Sequence, residues 1–266
     1  MVVLLFLFRN EIPPKKTGIA ADQPVMEFSA DSVLAHAKES LNPGQLNRVM
    51  LLEGSLSRGD IKDQKIHIYH QLAKYWADSV KSFLPSIWYR AEAARLENSE
   101  KNLTFAAHLL LDSVREQEDV RVRKWEALQA KDLFERSLKI NPANDSSKVG
   151  LGSCYLFGGI SEMPMEGIMM IREVVARDST NIYAQMMLGY GSLVSGQYDK
   201  AIERFEKVLA IDNENIEASL MLVRIGEENE KNGDIKGALA LYRKALPFIK
   251  KEWKPELQKR IDELSK

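Results

Sequence analysis

The residues best able to do chemistry sit in one short stretch, His67-Ile68-Tyr69-His70. Two histidines at i and i+3 share a helix face and can hold one metal ion, and Asp63 lies one turn before His67. No third ligand follows at a recognised spacing, and His36 and His108 stand elsewhere in the chain. The pair reads as partly exposed structural histidines, with a metal-dependent hydrolase as the catalytic alternative. The one cysteine, Cys154, excludes an intrachain disulfide framework and a cysteine-based zinc site. Between Gly152 and Tyr155 it reads as a small buried hydrophobe. The sequence carries no P-loop, Gly-rich dinucleotide turn, GxSxG or HExxH. A non-catalytic protein without a cofactor is the expectation. A net charge of −1 provides no basic field, so nucleic acid is not an expected partner.

The elements that would position these residues are helices, and they recur. Leu151-Gly152, Leu188-Gly189 and Ile225-Gly226 fall at a constant spacing, and each glycine is followed seven residues later by Gly159, Gly196 and Gly233. A small-then-large pair one helical turn apart comes next in every unit: Gly167/Ile171, Ala201/Phe205 and Ala238/Tyr242. The stretch from Asn181 to Asn215 carries the pattern most fully. It resembles the tetratricopeptide repeat, a helix–turn–helix unit of ~34 residues. Ser192 stands where that family has a tyrosine, and Asn213 where it has the closing proline.

The resemblance implies an all-α, right-handed α-solenoid of antiparallel helix pairs. Residues 145–247 would form three clear repeats, 29–144 a degenerate repeat region, and 248–266 a C-terminal capping helix. In the degenerate region Leu46–Phe83 reads as an early repeat, because Gly-Asp-Ile-Lys at 59–62 recurs at 233–236. Its small-residue slot is Gln64, which would hold the helices apart. Pro85 is expected to end that helix, and Ser86–Leu96 to pair with Leu103–Val114. The charged run Arg115–Lys124 is expected to be a solvated helix start or loop. It leads into a helix through Trp125 to Ile140, in which Ala130, Phe134 and Pro142 match a repeat's second half. Gly189 is expected to lie against Ala201, with alanine tolerated at Gly189.

In this family the first helix of each repeat lines a concave groove. The resemblance assigns that role to Val149, Ser153, Leu156 and Phe157 in one repeat and to Tyr183, Met186, Tyr190 and Leu193 in the next. The last repeat would contribute Leu220, Val223 and Glu227. The Lys, Asn and Arg with which the family's chaperone-tail binders clamp a carboxylate are replaced by Val149, Ser153, Met186 and Tyr190, so that clamp is absent. An apolar groove suits an amphipathic helix or an extended hydrophobic segment of another protein. The chain's own Trp253–Leu264 helix is a second candidate occupant. Met163, Met165, Met169, Met170, Met186, Met187 and Met221 crowd the clear repeats, either as gap-fillers in the core or as an adaptable surface.

At the N-terminus Val2–Phe8 is an apolar run of seven residues, followed by Pro13-Pro14-Lys15-Lys16. It is shorter than the ~20 residues a spanning helix needs. It reads as the tail of a membrane anchor, a degenerate signal segment or a packed end, with 10–28 as a linker. The expected function is a scaffold or adaptor binding another protein, membrane-tethered with the repeats exported; a cytoplasmic location is the alternative. A soluble regulatory subunit of an enzyme encoded elsewhere is the second functional reading.

Overall fold

The computed structural model describes residues 28–58, 61–161 and 164–266, the side chains of 57 and 58 excepted. The described residues are helical almost throughout: α1 Ala30–Glu39, α2 Pro43–Arg58, α3 Lys62–Tyr75, α4 Phe83–Glu97, α5 Glu100–Glu116, α6 Val120–Ile140 and α7 Asp145–Phe157. Then follow α8 Met165–Arg177, α9 Ile182–Val194, α10 Tyr198–Ile211, α11 Ile216–Lys231, α12 Ile235–Ala245 and α13 Lys254–Leu264. The fold class is that of an α-solenoid, built from antiparallel helix pairs. The chain divides into two compact units, one whose described residues run to Met170 and one spanning Ile171–Lys266.

In the C-terminal unit α9 pairs with α10 and α11 with α12. The turns inside the pairs are closed by Gly196 and Gly233, at φ of 71° and 85°. Gln197 N–H bonds Ser192 O at 2.8 Å and Asp234 N–H bonds Asn229 O at 2.8 Å, each reaching back five residues to a carbonyl the helix end leaves open. A left-handed residue is required at that point, which is why glycine recurs there. Polar caps start the helices between pairs. Asn144, Asn181 and Asn215 precede α7, α9 and α11, and each side-chain oxygen accepts the N–H three residues on, at 2.8–2.9 Å. Three residues before each cap, Asn141, Asp178 or Asp212 ends the preceding helix and turns its own side chain onto the backbone two residues later. Such caps contribute about 1 kcal/mol each.

The close contact within a pair is not the expected one. Gly189 lies against the ring of Phe205: a methyl group at Gly189 would fall 2.6 Å from Phe205 Cε1. Gly226 holds Tyr242 in the same way, again at 2.6 Å. The partner of the small residue on the first helix is therefore the aromatic on the second, one turn beyond Ala201. Both rings are buried.

In the N-terminal unit the pairing also departs from expectation. α3 packs chiefly on α4 and α5 on α6, so Leu103–Val114 belongs with the helix that follows it rather than with Ser86–Leu96. Gln64 is exposed, and α2 and α3 lack the tight contact of the later pairs. Gly59 and Asp60 lie outside the described residues. Pro85 ends nothing: it is the third residue of α4, where the missing N–H is harmless. The preceding helix ends instead in a π-helical turn, Trp76–Val80, capped by Lys81 in the left-handed region at φ 63°. Ser86 Oγ then donates to Ala73 O at 2.9 Å and fixes α4 on α3. One core gathers Val49, Leu52, Leu72, Trp76 and Tyr89; a second runs from Ile87 through Leu110 and Phe134 to Cys154. The charged run contains the end of α5, the cap Asp119 and the start of α6.

Gly189→Ala should lower stability by about 1–3 kcal/mol through overpacking on Phe205. Gly54→Ala, in a helix position with nothing within 4 Å of the new methyl, should leave stability unchanged or raise it by up to ~1 kcal/mol. Thermal melts of the two variants side by side check the contact; equal effects would refute it.

Candidate functional site

The candidate surface is the outward face of the first helices α9 and α11. α9 is buried on most of its circumference, with eight of its residues inside. Gln185 anchors it: its Nε2 donates to Ser179 O and its Oε1 accepts from Arg204 Nη1 of α10, both at 2.8 Å. Besides Ile182 and Ser192, the reachable residues form a line seven and four residues apart, Tyr183, Tyr190 and Val194. Tyr190 meets Phe205 edge-on, with ring centroids 5.7 Å apart and planes at 70°, and its hydroxyl donates to the Glu217 carboxylate of α11. On α11 the matching line is Glu217, Leu220, Arg224 and Glu227. Burial pulls Arg224 down and pushes the Glu227 carboxyl up, the latter opposed by the charges of Lys231 and Arg224.

This placement corrects the expected groove. Tyr183, Tyr190, Leu220 and Glu227 are half-exposed on that face, and Leu156 and Phe157 are half-exposed on α7. Val149, Ser153, Met186, Leu193 and Val223 are buried. They lie on the sides of their helices that pack inward, and Ser153 Oγ is already committed to Val149 O at 2.8 Å. On α11 the face runs through Arg224 rather than Val223. The surface is thus aromatic and apolar with charge set into it, not purely apolar. Arg224 and Glu217 were missed, because on a helix packed on two sides the apolar residues do not mark one face. The methionines divide: Met186 and Met187 are buried, Met165 and Met169 exposed, Met170 and Met221 between, and Met163 lies outside the described residues. The Trp253–Leu264 segment packs along α12, with Leu257 and Ile261 buried and Arg260 reaching Glu230 of α11.

The histidines go to separate partners. Gln71 Nε2 donates to His67 Nε2 at 2.7 Å, and His70 Nε2 donates to Glu97 Oε1 at 2.7 Å. His108 Nε2 lies 2.8 Å from Ser146 Oγ, and burial lowers its pKa. His36 pairs with Glu39 at 3.2 Å. Among the described residues no group of three His, Cys, Asp or Glu is placed to hold a metal ion. The Cys154 thiol is fully buried, and desolvation raises its pKa far above the usual range.

One buried acid gave no sequence signal. Glu126 of α6 is wholly buried; its Oε1 accepts from Ser113 Oγ at 2.7 Å, and its Oε2 has no partner. Desolvation pushes this carboxyl up to about 7, against a smaller opposing effect of the Ser113 bond.

By class, then, this is an all-helical protein of stacked antiparallel helix pairs. Among solved structures it is similar to "MamA 41-end from Desulfovibrio magneticus RS-1", at 21% identity and a TM-score of 0.45 over 71% of this chain and 96% of that one. It is also similar to "MamA RS-1 ArsTM double mutant", at 20% identity and a TM-score of 0.44 over 77% and 98%. No family model and no curated protein matches the chain.

Because the folded-state pKa of Glu126 lies above its unfolded value, the protonated form is the stable one. The cost is absent below the ordinary carboxylate range, grows as pH rises towards 7 and is complete above it. Glu126→Gln should therefore gain about 2–3 kcal/mol over the parent at pH 8 and nearly nothing at pH 4. Urea titrations at the two pH values check this.

Proposed function

We propose that this chain is a non-catalytic adaptor that binds another protein across the outward face of α9 and α11. The observation that carries the reading is the line Tyr183, Tyr190, Val194 and Leu220, half-exposed or exposed on neighbouring first helices, while Phe205 and Tyr242 of the second helices are enclosed. Tyr190 is held from two sides, so little side-chain entropy remains to be lost on binding. Glu217, Arg224 and Glu227 sit within the same face and would set the register of a partner helix or extended segment by charge. The apolar run at 2–8 enters this proposal as a membrane tether on its sequence alone, since it lies outside the described residues. Among the described residues no helix is long and apolar enough to cross a membrane.

The test is co-purification of the full-length chain with its partner from the source cell, repeated with Tyr190→Ala and Leu220→Asp. Each should weaken the complex by about 2 kcal/mol or more, roughly thirtyfold, as truncation of a central anchor does. Leu220→Asp should change the melting temperature little, and Tyr190→Ala should cost stability no more than the ~0.5–1.5 kcal/mol of its edge contact with Phe205. Stability lost with binding kept would make this face ordinary packing and end the reading. Fractionation of the same cells tests the tether: recovery wholly in the soluble fraction would exclude it.

A further inference from the structure

The N-terminal unit contains a cleft that the adaptor reading does not use. It opens between α1, α2, α3 and α4 and holds about 480 Å³, within the range of roughly 300–1,000 Å³ usual for ligand sites. Its aromatic wall is built from Tyr69, Trp88 and Tyr89, with Tyr69 stacked on Tyr89 at 6.1 Å and 30°. Set around these rings are the carboxyl groups of Asp31, Glu53 and Glu92 and, among the described residues, one lining cation, Lys38. Lys38 Nζ is committed to Glu53 at 2.7 Å. Tyr89 donates its hydroxyl to the same carboxylate.

We infer that this cleft docks a lysine or arginine side chain projecting from a protein partner. The wall already does this chemistry with a residue of its own chain. Arg95 places its guanidinium 5.4 Å from the Trp88 ring centre while Nη1 donates to Glu92 at 2.5 Å, and its Nε and Nη2 donate to Asp132 and Gln129 at 2.8 and 2.7 Å, so the indole and Glu92 are two of the four groups that hold this cation. A ring face attracts a cation by its quadrupole, and a neighbouring carboxylate adds to it. Asp31 is exposed on the first turn of α1, and among the described residues no cation pairs with it. The negative field reaches the rings: after burial, Glu92 is what raises the Tyr69 phenol. An anion would meet three carboxylates here, and a purely apolar group would strip water from them without return. The cleft is open to solvent, which suits a side chain carried on a protein surface. The site lies in the other unit from the α9 and α11 face and stands or falls apart from it.

The experiment titrates the full chain with N-acetylated, C-amidated tetralysine, tetraarginine and tetraglutamate by calorimetry, with n-butylamine as the free amine. The two basic peptides should bind saturably, and tetraglutamate should not. Asp31→Asn should weaken them at least threefold and Asp31→Asn with Glu92→Gln at least tenfold, while Trp88→Phe should remove the fluorescence change on binding. Melting curves accompany each variant, and if the double variant unfolds the exposed Asp31→Asn decides alone. Absence of saturable binding, or equal binding by Asp31→Asn, overturns the proposal. Butylamine bound as tightly as tetralysine would overturn the assignment to a protein partner in favour of a small amine.

Discussion

The seating of Phe205 on Gly189 is the contact on which the C-terminal unit depends. A fully buried phenylalanine contributes about 1.5–3 kcal/mol through the area it removes from water. Here that burial is possible only because the facing residue has no Cβ. Tyr242 on Gly226 repeats the contact one pair later. The consequence reaches the surface. Phe205 also meets the Tyr190 ring edge-to-face, so the central residue of the candidate face packs on the same ring that locks α9 to α10. Such edge-to-face pairs add about 0.5–1.5 kcal/mol beyond area alone. The candidate face is thereby a projection of the core and not an appendage to it.

The period of the chain was legible because it is written in residue types with few substitutes. Glycine at positive φ, glycine under a ring and an aromatic above it have sharp physical requirements, and they recur at Gly196 and Gly233, Gly189 and Gly226, Phe205 and Tyr242. The amphipathic helices α10 and α12, packed on one side, were readable for the same reason. α9 was not, since with both Met186 and Met187 inside it no longer shows which apolar residues point outward. On α11, Val223 is the more apolar residue, yet it faces inward while Arg224 lies on the reachable side. The N-terminal pairing was obscured by a different cause. Pro85 carries the same signal whether it closes a helix or opens one, and Lys81 in the left-handed region carries no signal at all.

Polar residues set the joints between pairs. Asn144, Asn181 and Asn215 make the same bond at the same position, and Asn141, Asp178 and Asp212 turn the chain three residues earlier. The joint is thus made by side chains bonding backbone that would otherwise be left open, and it tolerates either an amide or a carboxylate at its first position. That tolerance lets the loop sequences differ while the helices start at equivalent places. It also explains why no proline is needed at Asn213: the turn is already defined by Asp212.

A formal net charge of −1 suggests an electrostatically indifferent protein, but the charges are arranged locally. On α11, Arg224 lies half-buried in the field of Glu227, Glu228 and Tyr190, so charge there is embedded in an apolar face. Around the half-buried Tyr69 and Trp88, the lining carboxylates outnumber the lining cations among the described residues. Glu126 is a third case, a carboxyl enclosed without a cation at all. Exposed charge is screened within about 8 Å at physiological salt, so the global sum has little influence at any one of these places. What distinguishes one surface of this chain from another is which rings and carboxylates share a cleft or a helix face, and the pairing of helices is what brings them together.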